Sequence, residues 1–122
     1  DMEFEVLNLP GHTKCSVGYY CKKEGLLLSC ETLGVYDGET VLPSYLVGYG
    51  MALSSIERVE RLKITNIVAP HFGLLDEKQT EYFLKNMKTK TWQIRLCVFW
   101  HVPIKPLMKS LKKKIPKPLK RI

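Results

Sequence analysis

Three side chains in this sequence have types and settings that could do chemistry together. His12 follows Pro10 and Gly11, Glu31 follows Ser29 and Cys30, and His71 follows Ala69 and Pro70. Each sits at a turn directly after an apolar run. Imidazole and carboxylate are the usual nitrogen and oxygen ligands of a hydrolytic zinc. A metal lowers the pKa of its bound water towards neutrality and makes it a nucleophile. Such ligands work best at the ends of rigid elements, which fix their geometry. On residue type alone, a histidine in a loop is an ordinary surface residue, so the weight falls on the elements around these three.

Those elements can be read from periodicity. Residues 2–8 alternate apolar and polar, as a half-buried strand does, and Pro10 with Gly11 ends it. Residues 16–22 are strand-like, Lys23, Glu24 and Gly25 supply a turn, and Leu26–Leu28 returns as a second strand of a hairpin. Residues 30–43 hold Gly34, Asp37, Gly38 and Pro43 and read mainly as loop. Residues 44–63 read as a helix, with Ser44 as N-cap and Tyr49, Leu53, Ile56, Val59 and Leu62 recurring on one face. A short strand, Ile67–Ala69, closes at Pro70 and leaves His71 just past its end. Asp76 and Gln79 have the spacing of a capping box, which predicts a helix from Glu77 to about Lys88 with Tyr82, Phe83 and Met87 turned inward. The aromatic and β-branched run Trp92–Val102 predicts a strand. Four prolines between 103 and 118 would break helices and sheet ladders and leave residues 103–122 poorly packed.

Composition narrows the class. At 122 residues and 45% hydrophobic, one modest domain is expected. The net charge of +7 is unevenly placed: no acidic residue follows Glu81, whereas ten lysines and two arginines do. That segment is a candidate for contact with a polyanion, whether nucleic acid, anionic membrane or an acidic protein. Trp92, Phe99 and Trp100 beside those lysines could stack on bases, although a plain hydrophobic strand is the better account of them. His101 has no partner motif. The four cysteines, Cys15, Cys21, Cys30 and Cys97, form no CxxC pair. Reduced thiols in a cytoplasmic protein fit them better than a disulfide framework. The acidic start, Asp1, Glu3 and Glu5, is not a secretory leader, and no apolar run is long enough to cross a bilayer.

The run PGHTKCSVGYYCKKEGLLLSCETLG resembles the metallo-β-lactamase superfamily pattern of Pro-Gly-His-Thr, a hairpin, then Ser-Gly-Asp-Thr. A helix follows in that family, then a strand leading to a late Gly-His-Gly or Pro-His-x-Gly. PSYLVGYGMALSSIERVERL and NIVAPHFG stand in those places, and the resemblance covers roughly residues 1–88. It implies an α+β fold, the C-terminal half of an αββα sandwich. Residues 1–90 would be a partial domain of that type, and 91–122 a strand-like segment with a basic tail. By position, His12 resembles a ligand of the first metal, Glu31 the bridging aspartate and His71 a ligand of the second. The implied chemistry is attack by a metal-bound hydroxide on an ester, thioester, amide or phosphoester of a small-molecule substrate. Two zinc ions are the implied cofactors, with iron or manganese as alternatives.

Departures from the pattern shape what to expect. Glu31 stands where aspartate is usual, and its extra methylene moves the carboxylate outward. Cys15 and Cys30 replace common glycines, so a structural zinc held by His12, Cys15, Cys30 and His71 is an alternative. The family's His-x-His-x-Asp-His motif, which supplies most of its ligands, has no counterpart among the three histidines. The expectation is therefore a truncated hydrolase with low metal occupancy. It would be inactive alone, and completed by an N-terminal half or by self-association. The competing expectation is a non-enzymatic binding module that works through the basic tail. Tyr45 and Tyr49 are candidate substrate-pocket residues, or simply the rim of a helix face.

Overall fold

The computed structural model describes the backbone of residues 1–99 and the side chains of residues 1–95. Among the described residues seven short strands and two helices follow in the order β1 (Glu5–Asn8), β2 (Val17–Cys21), β3 (Leu26–Leu28), β4 (Val35–Tyr36), β5 (Val41–Leu42), α1 (Tyr49–Glu60), β6 (Asn66–Ala69), β7 (Gly73–Leu74) and α2 (Glu77–Phe99). One 3₁₀ turn, Glu31–Leu33, lies between β3 and β4.

Five strands form one sheet in the order β1-β2-β3-β6-β7, and β4 pairs with β5 separately. The β1–β2 and β2–β3 pairs are antiparallel, and β3–β6 is parallel. It follows that β1, β3 and β6 all run the same way. The hairpin β2–β3 turns at Gly25, whose φ of 61° is the left-handed conformation that glycine adopts without steric cost.

Both helices pack on one face of this sheet. Leu7, Tyr20, Leu27 and Ile67 from the strands meet Ile56 and Val59 of α1 and Phe83 and Met87 of α2, all buried in one cluster. Full burial of a side chain such as Phe83 or Met87 contributes about 1.5–3 kcal/mol. Tyr20 keeps its hydroxyl satisfied by donating to the Lys63 carbonyl at 2.7 Å. Across the helix pair, Lys88 Nζ lies 3.2 Å from both Glu57 and Glu60.

The capping box forms as the spacing predicts. The Gln79 backbone N–H donates to Asp76 Oδ1 at 2.8 Å, and the Asp76 N–H donates to Gln79 Oε1 at 2.9 Å. Three expectations need correction. First, α2 does not stop near Lys88, and Trp92 does not begin a strand, because helix continues to Phe99. Thr91 is buried at 1% exposure, so the packed helix face carries on beyond Lys88 and overrides the strand preference of the aromatic run. Second, α1 starts at Tyr49 with Gly48 as its N-cap, and Ser44 caps nothing. Third, Tyr49 and Leu53 are only half-buried, and Ala52 and Ser55 take the inward positions with Ile56 and Val59. The expectations for residues 103–122, His101 and Trp100 lie outside the described residues. No helix among the described residues is long and apolar enough to cross a membrane.

Candidate metal centre

The parallel course of β1, β3 and β6 decides where the candidate ligands fall. His12 follows the carboxyl end of β1, Glu31 that of β3, and His71 that of β6. All three therefore belong to the same end of the sheet.

His12 is built in by its neighbours. Gly11 carries φ 150°, and a Cβ there would lie 2.7 Å from the Ala52 Cα, so only glycine lets α1 sit this close. The Gly11 carbonyl accepts the Val47 N–H at 3.0 Å, and the Ser55 hydroxyl donates to the Pro10 carbonyl at 2.8 Å. The His12 backbone N–H donates to Thr32 Oγ1 at 3.0 Å. Its Nδ1 lies 2.7 Å from the Ser44 carbonyl and 3.0 Å from the Ser44 hydroxyl. A carbonyl only accepts, so Nδ1 carries the proton and donates. In the neutral form of the ring the lone pair is then on Nε2, the arrangement found in metal-binding histidines oriented by a backbone carbonyl.

Glu31 and His71 are in direct contact. His71 Nε2 lies 3.1 Å from Glu31 Oε1, with side-chain exposures of 66% and 31%. Two ligand atoms on one tetrahedral zinc stand about 3.3 Å apart, given metal–ligand distances near 2.0–2.1 Å. The pair thus has the spacing of two corners of a zinc site. Glu31 is held below the ordinary carboxylate range. The largest cause is a hydrogen bond from its own backbone N–H, which partial burial opposes. The His71 hydrogen bond and the charges of His12 and His71 add to the lowering. His71 itself has φ 64°, a left-handed conformation uncommon outside glycine.

The fit to zinc is incomplete. The donor chemistry suits the metal and the Glu31–His71 spacing suits two of its ligands. However, no group of three or more His, Cys, Asp or Glu side chains among the described residues is placed to hold an ion. The alternative structural site is not assembled either: Cys15 is exposed, Cys30 is buried, and both are free. Burial pushes the Cys30 thiol pKa up, which disfavours the thiolate a metal would need.

Three neighbours were not legible as parts of this region. Ser44 reads as a cap and Thr32 as a loop residue, yet both fix His12. Arg95 lies 4.2 Å above the Tyr49 ring, which makes an edge contact with Tyr45 at 5.5 Å between centroids. Tyr45 and Tyr49 are therefore packed on each other, and Tyr49 on α2. No spacing in the sequence announces a contact between residue 95 and residue 49.

No protein-family model matches the sequence, and no curated protein matches it. Solved structures do. The chain is similar to an archaeal metallo-β-lactamase superfamily protein from Sulfolobus tokodaii, with 25% identity and a TM-score of 0.56. That match covers 68% of this chain and 32% of the other. It is similar in the same degree to a metallo-β-lactamase family protein from Thermus thermophilus, with 25% identity and a TM-score of 0.56. Here the match covers 78% of this chain and 32% of the other. The chain spans about a third of the length of these structures, less than the half that the motifs suggest. Sequence motifs and fold thus agree that this is a partial metallo-β-lactamase-type fold of the α+β class, matched to members of that superfamily.

Proposed function

We propose that His12, Glu31 and His71 are metal ligands of a metal-dependent hydrolase acting on an ester, thioester, amide or phosphoester. The observation that carries this reading is the Glu31–His71 pair, 3.1 Å apart, at the same sheet end as a His12 ring already oriented by Ser44. A zinc there would supply Lewis acidity and an activated water. The chain's own residues would supply two ligands in contact and a third donor at the same sheet end. A catalytic zinc usually has three protein ligands. Further donors must therefore come from outside the described residues of one chain. Equilibrium dialysis against zinc tests the reading. Bound zinc should fall at least about tenfold in affinity in His71→Ala and in His12→Ala, the scale on which even supporting contacts act. Zinc binding that ignores both substitutions would overturn it.

A second reading rests on the uneven charge, with every acidic residue at or before Glu81. In it the segment beyond Glu81 binds a polyanion mainly through phosphate contacts. Affinity for a single-stranded oligonucleotide should then fall steeply and log-linearly with salt. Salt-insensitive binding would remove this reading.

A further inference from the structure

α2 runs antiparallel to α1 over its second half. Lys88 meets Glu57 and Glu60 near the end of α1, and Arg95, about two helical turns on, lies over Tyr49, the first residue of α1. The start of α1 is also where the Val47 and Gly48 N–H groups donate to the carbonyl of Gly11, the residue before His12. The course of α2 beyond Lys88 therefore brings a guanidinium to the end of the sheet that holds the candidate ligands.

Residues 43–48, between β5 and α1, are irregular, yet they supply the carbonyl that sets the His12 ring. That carbonyl belongs to the peptide unit joining Ser44 to Tyr45, which is planar. Rotation of this plane about its two flanking bonds swings the oxygen away from Nδ1. The plane must therefore be held from the Tyr45 side as well as from Ser44. The Gly11 carbonyl takes hold only at Val47, and the intervening Leu46 is 77% exposed, so its side chain offers little anchorage. What anchors Tyr45 is its half-buried ring, which meets Tyr49 edge-on at 5.5 Å between centroids. The Arg95 guanidinium in turn caps the Tyr49 ring at 4.2 Å. Both geometries are those of favourable aromatic and cation–π pairs.

We propose that Tyr45, Tyr49 and Arg95 are positioning residues for His12: their stack holds the Ser44–Tyr45 peptide plane, and that plane keeps the proton on Nδ1. With the carbonyl in place, the neutral ring has its lone pair on Nε2. With the carbonyl turned away, only the Ser44 hydroxyl remains beside Nδ1. A hydroxyl both donates and accepts, so it selects neither tautomer. A histidine that binds metal must present its lone pair on one nitrogen, and this part of the inference rests on the metal reading above. An aromatic pair shifts an equilibrium by about two- to twelvefold, and a cation over an exposed ring by about two- to fivefold. Loss of the Tyr45 ring should therefore release the plane more than loss of Arg95.

The test is ring ¹⁵N NMR of the labelled, metal-free full chain at about pH 9, where imidazole is neutral. The chain has three histidines, and His12→Ala identifies the His12 signals. Ring shifts average over the two tautomers and so follow their ratio. Wild-type His12 should be protonated on Nδ1. The ratio of Nε2–H to Nδ1–H should rise about two- to fivefold in Arg95→Ala and further in Tyr45→Ala. Tyr45→Phe, which keeps the ring, should match wild type. Tyr45→Ala changes no charge, so its shift is not the field of a lost guanidinium. Arg95 is exposed, so its variant keeps the fold and decides the matter even where Tyr45→Ala does not. Wild-type His12 protonated on Nε2, or an unchanged ratio in Arg95→Ala or in folded Tyr45→Ala, overturns the proposal. So does a Tyr45→Phe ratio raised as far as that of Tyr45→Ala. Zinc affinity by equilibrium dialysis should fall in the same order as the tautomer ratio rises. Shifted tautomers with unchanged zinc affinity leave the brace standing and overturn His12 as a ligand.

Discussion

The two imidazoles at the sheet end are held in opposite ways. His12 is half-buried, with its backbone tied to Thr32 and its ring tied to Ser44. Those contacts span 20 and 32 residues of sequence, so the fold itself sets the ring. His71 is 66% exposed and is held by Glu31 on a left-handed backbone. Its ring is set by a charge partner that a metal would share. The difference suggests a fixed arm and an adjustable arm, and changes on the two sides should separate stability from metal binding.

The largest effect should come from the fixed arm. Gly11→Ala adds a Cβ 2.7 Å from the Ala52 backbone at φ 150°. Overpacking and backbone strain together should cost about 2–5 kcal/mol. The denaturant midpoint reads this directly, and a loss below ~1 kcal/mol would show that α1 can move away at little cost. Next comes Thr32→Val, which keeps the side-chain shape and removes the acceptor of the His12 N–H. Thr32 is 2% exposed. Leaving that donor unpaired should cost about 1–3 kcal/mol. An unchanged midpoint would mean that water replaces the hydroxyl.

Glu31 sharpens the comparison through pH. Its folded pKa is lowered from the ordinary 4.5. The stability it contributes is therefore present above that unfolded value and is lost as pH falls through the lower folded value. In His71→Ala the carboxyl should titrate higher than in the parent chain but stay below the ordinary value, because its own backbone N–H is the largest cause. Carboxyl carbon shifts followed by NMR measure both chains. A full return to the ordinary value would make His71 the dominant cause and the backbone contact minor.

How much of this the sequence discloses depends on the range of the interaction. The hairpin at Lys23–Gly25, the capping box at Asp76 and Gln79, and the core positions Ile56, Val59, Phe83 and Met87 follow from periods and spacings a few residues long. His12, Glu31 and His71 stand out because each follows a strand within four residues. What fixes His12 does not show. Ser44 has a cap's type and position, but its carbonyl and hydroxyl go to a ring 32 residues away. The helical course of residues 92–99 is hidden for a related reason. Aromatic and β-branched residues favour strands locally, and the packed α2 face overrides them.

The smallest expected effect on stability belongs to the adjustable arm, and it is the most informative about function. His71 sits at φ 64°, where a side chain costs about 1–2 kcal/mol relative to glycine. His71→Gly relieves that strain but gives the unfolded chain more freedom, worth about 0.4–1 kcal/mol in the other direction. It also removes a hydrogen bond to Glu31 that is largely exposed, which weakens its contribution to folding. These terms nearly cancel, so the unfolding midpoint should move by no more than ~0.5 kcal/mol in either direction. Zinc affinity should nevertheless fall at least about tenfold. A residue that can be deleted without loss of stability, yet is held in a strained backbone conformation, is retained for what its ring binds. If His71→Gly instead unfolds the chain, the imidazole serves the fold, and the distinction between a fixed and an adjustable arm disappears.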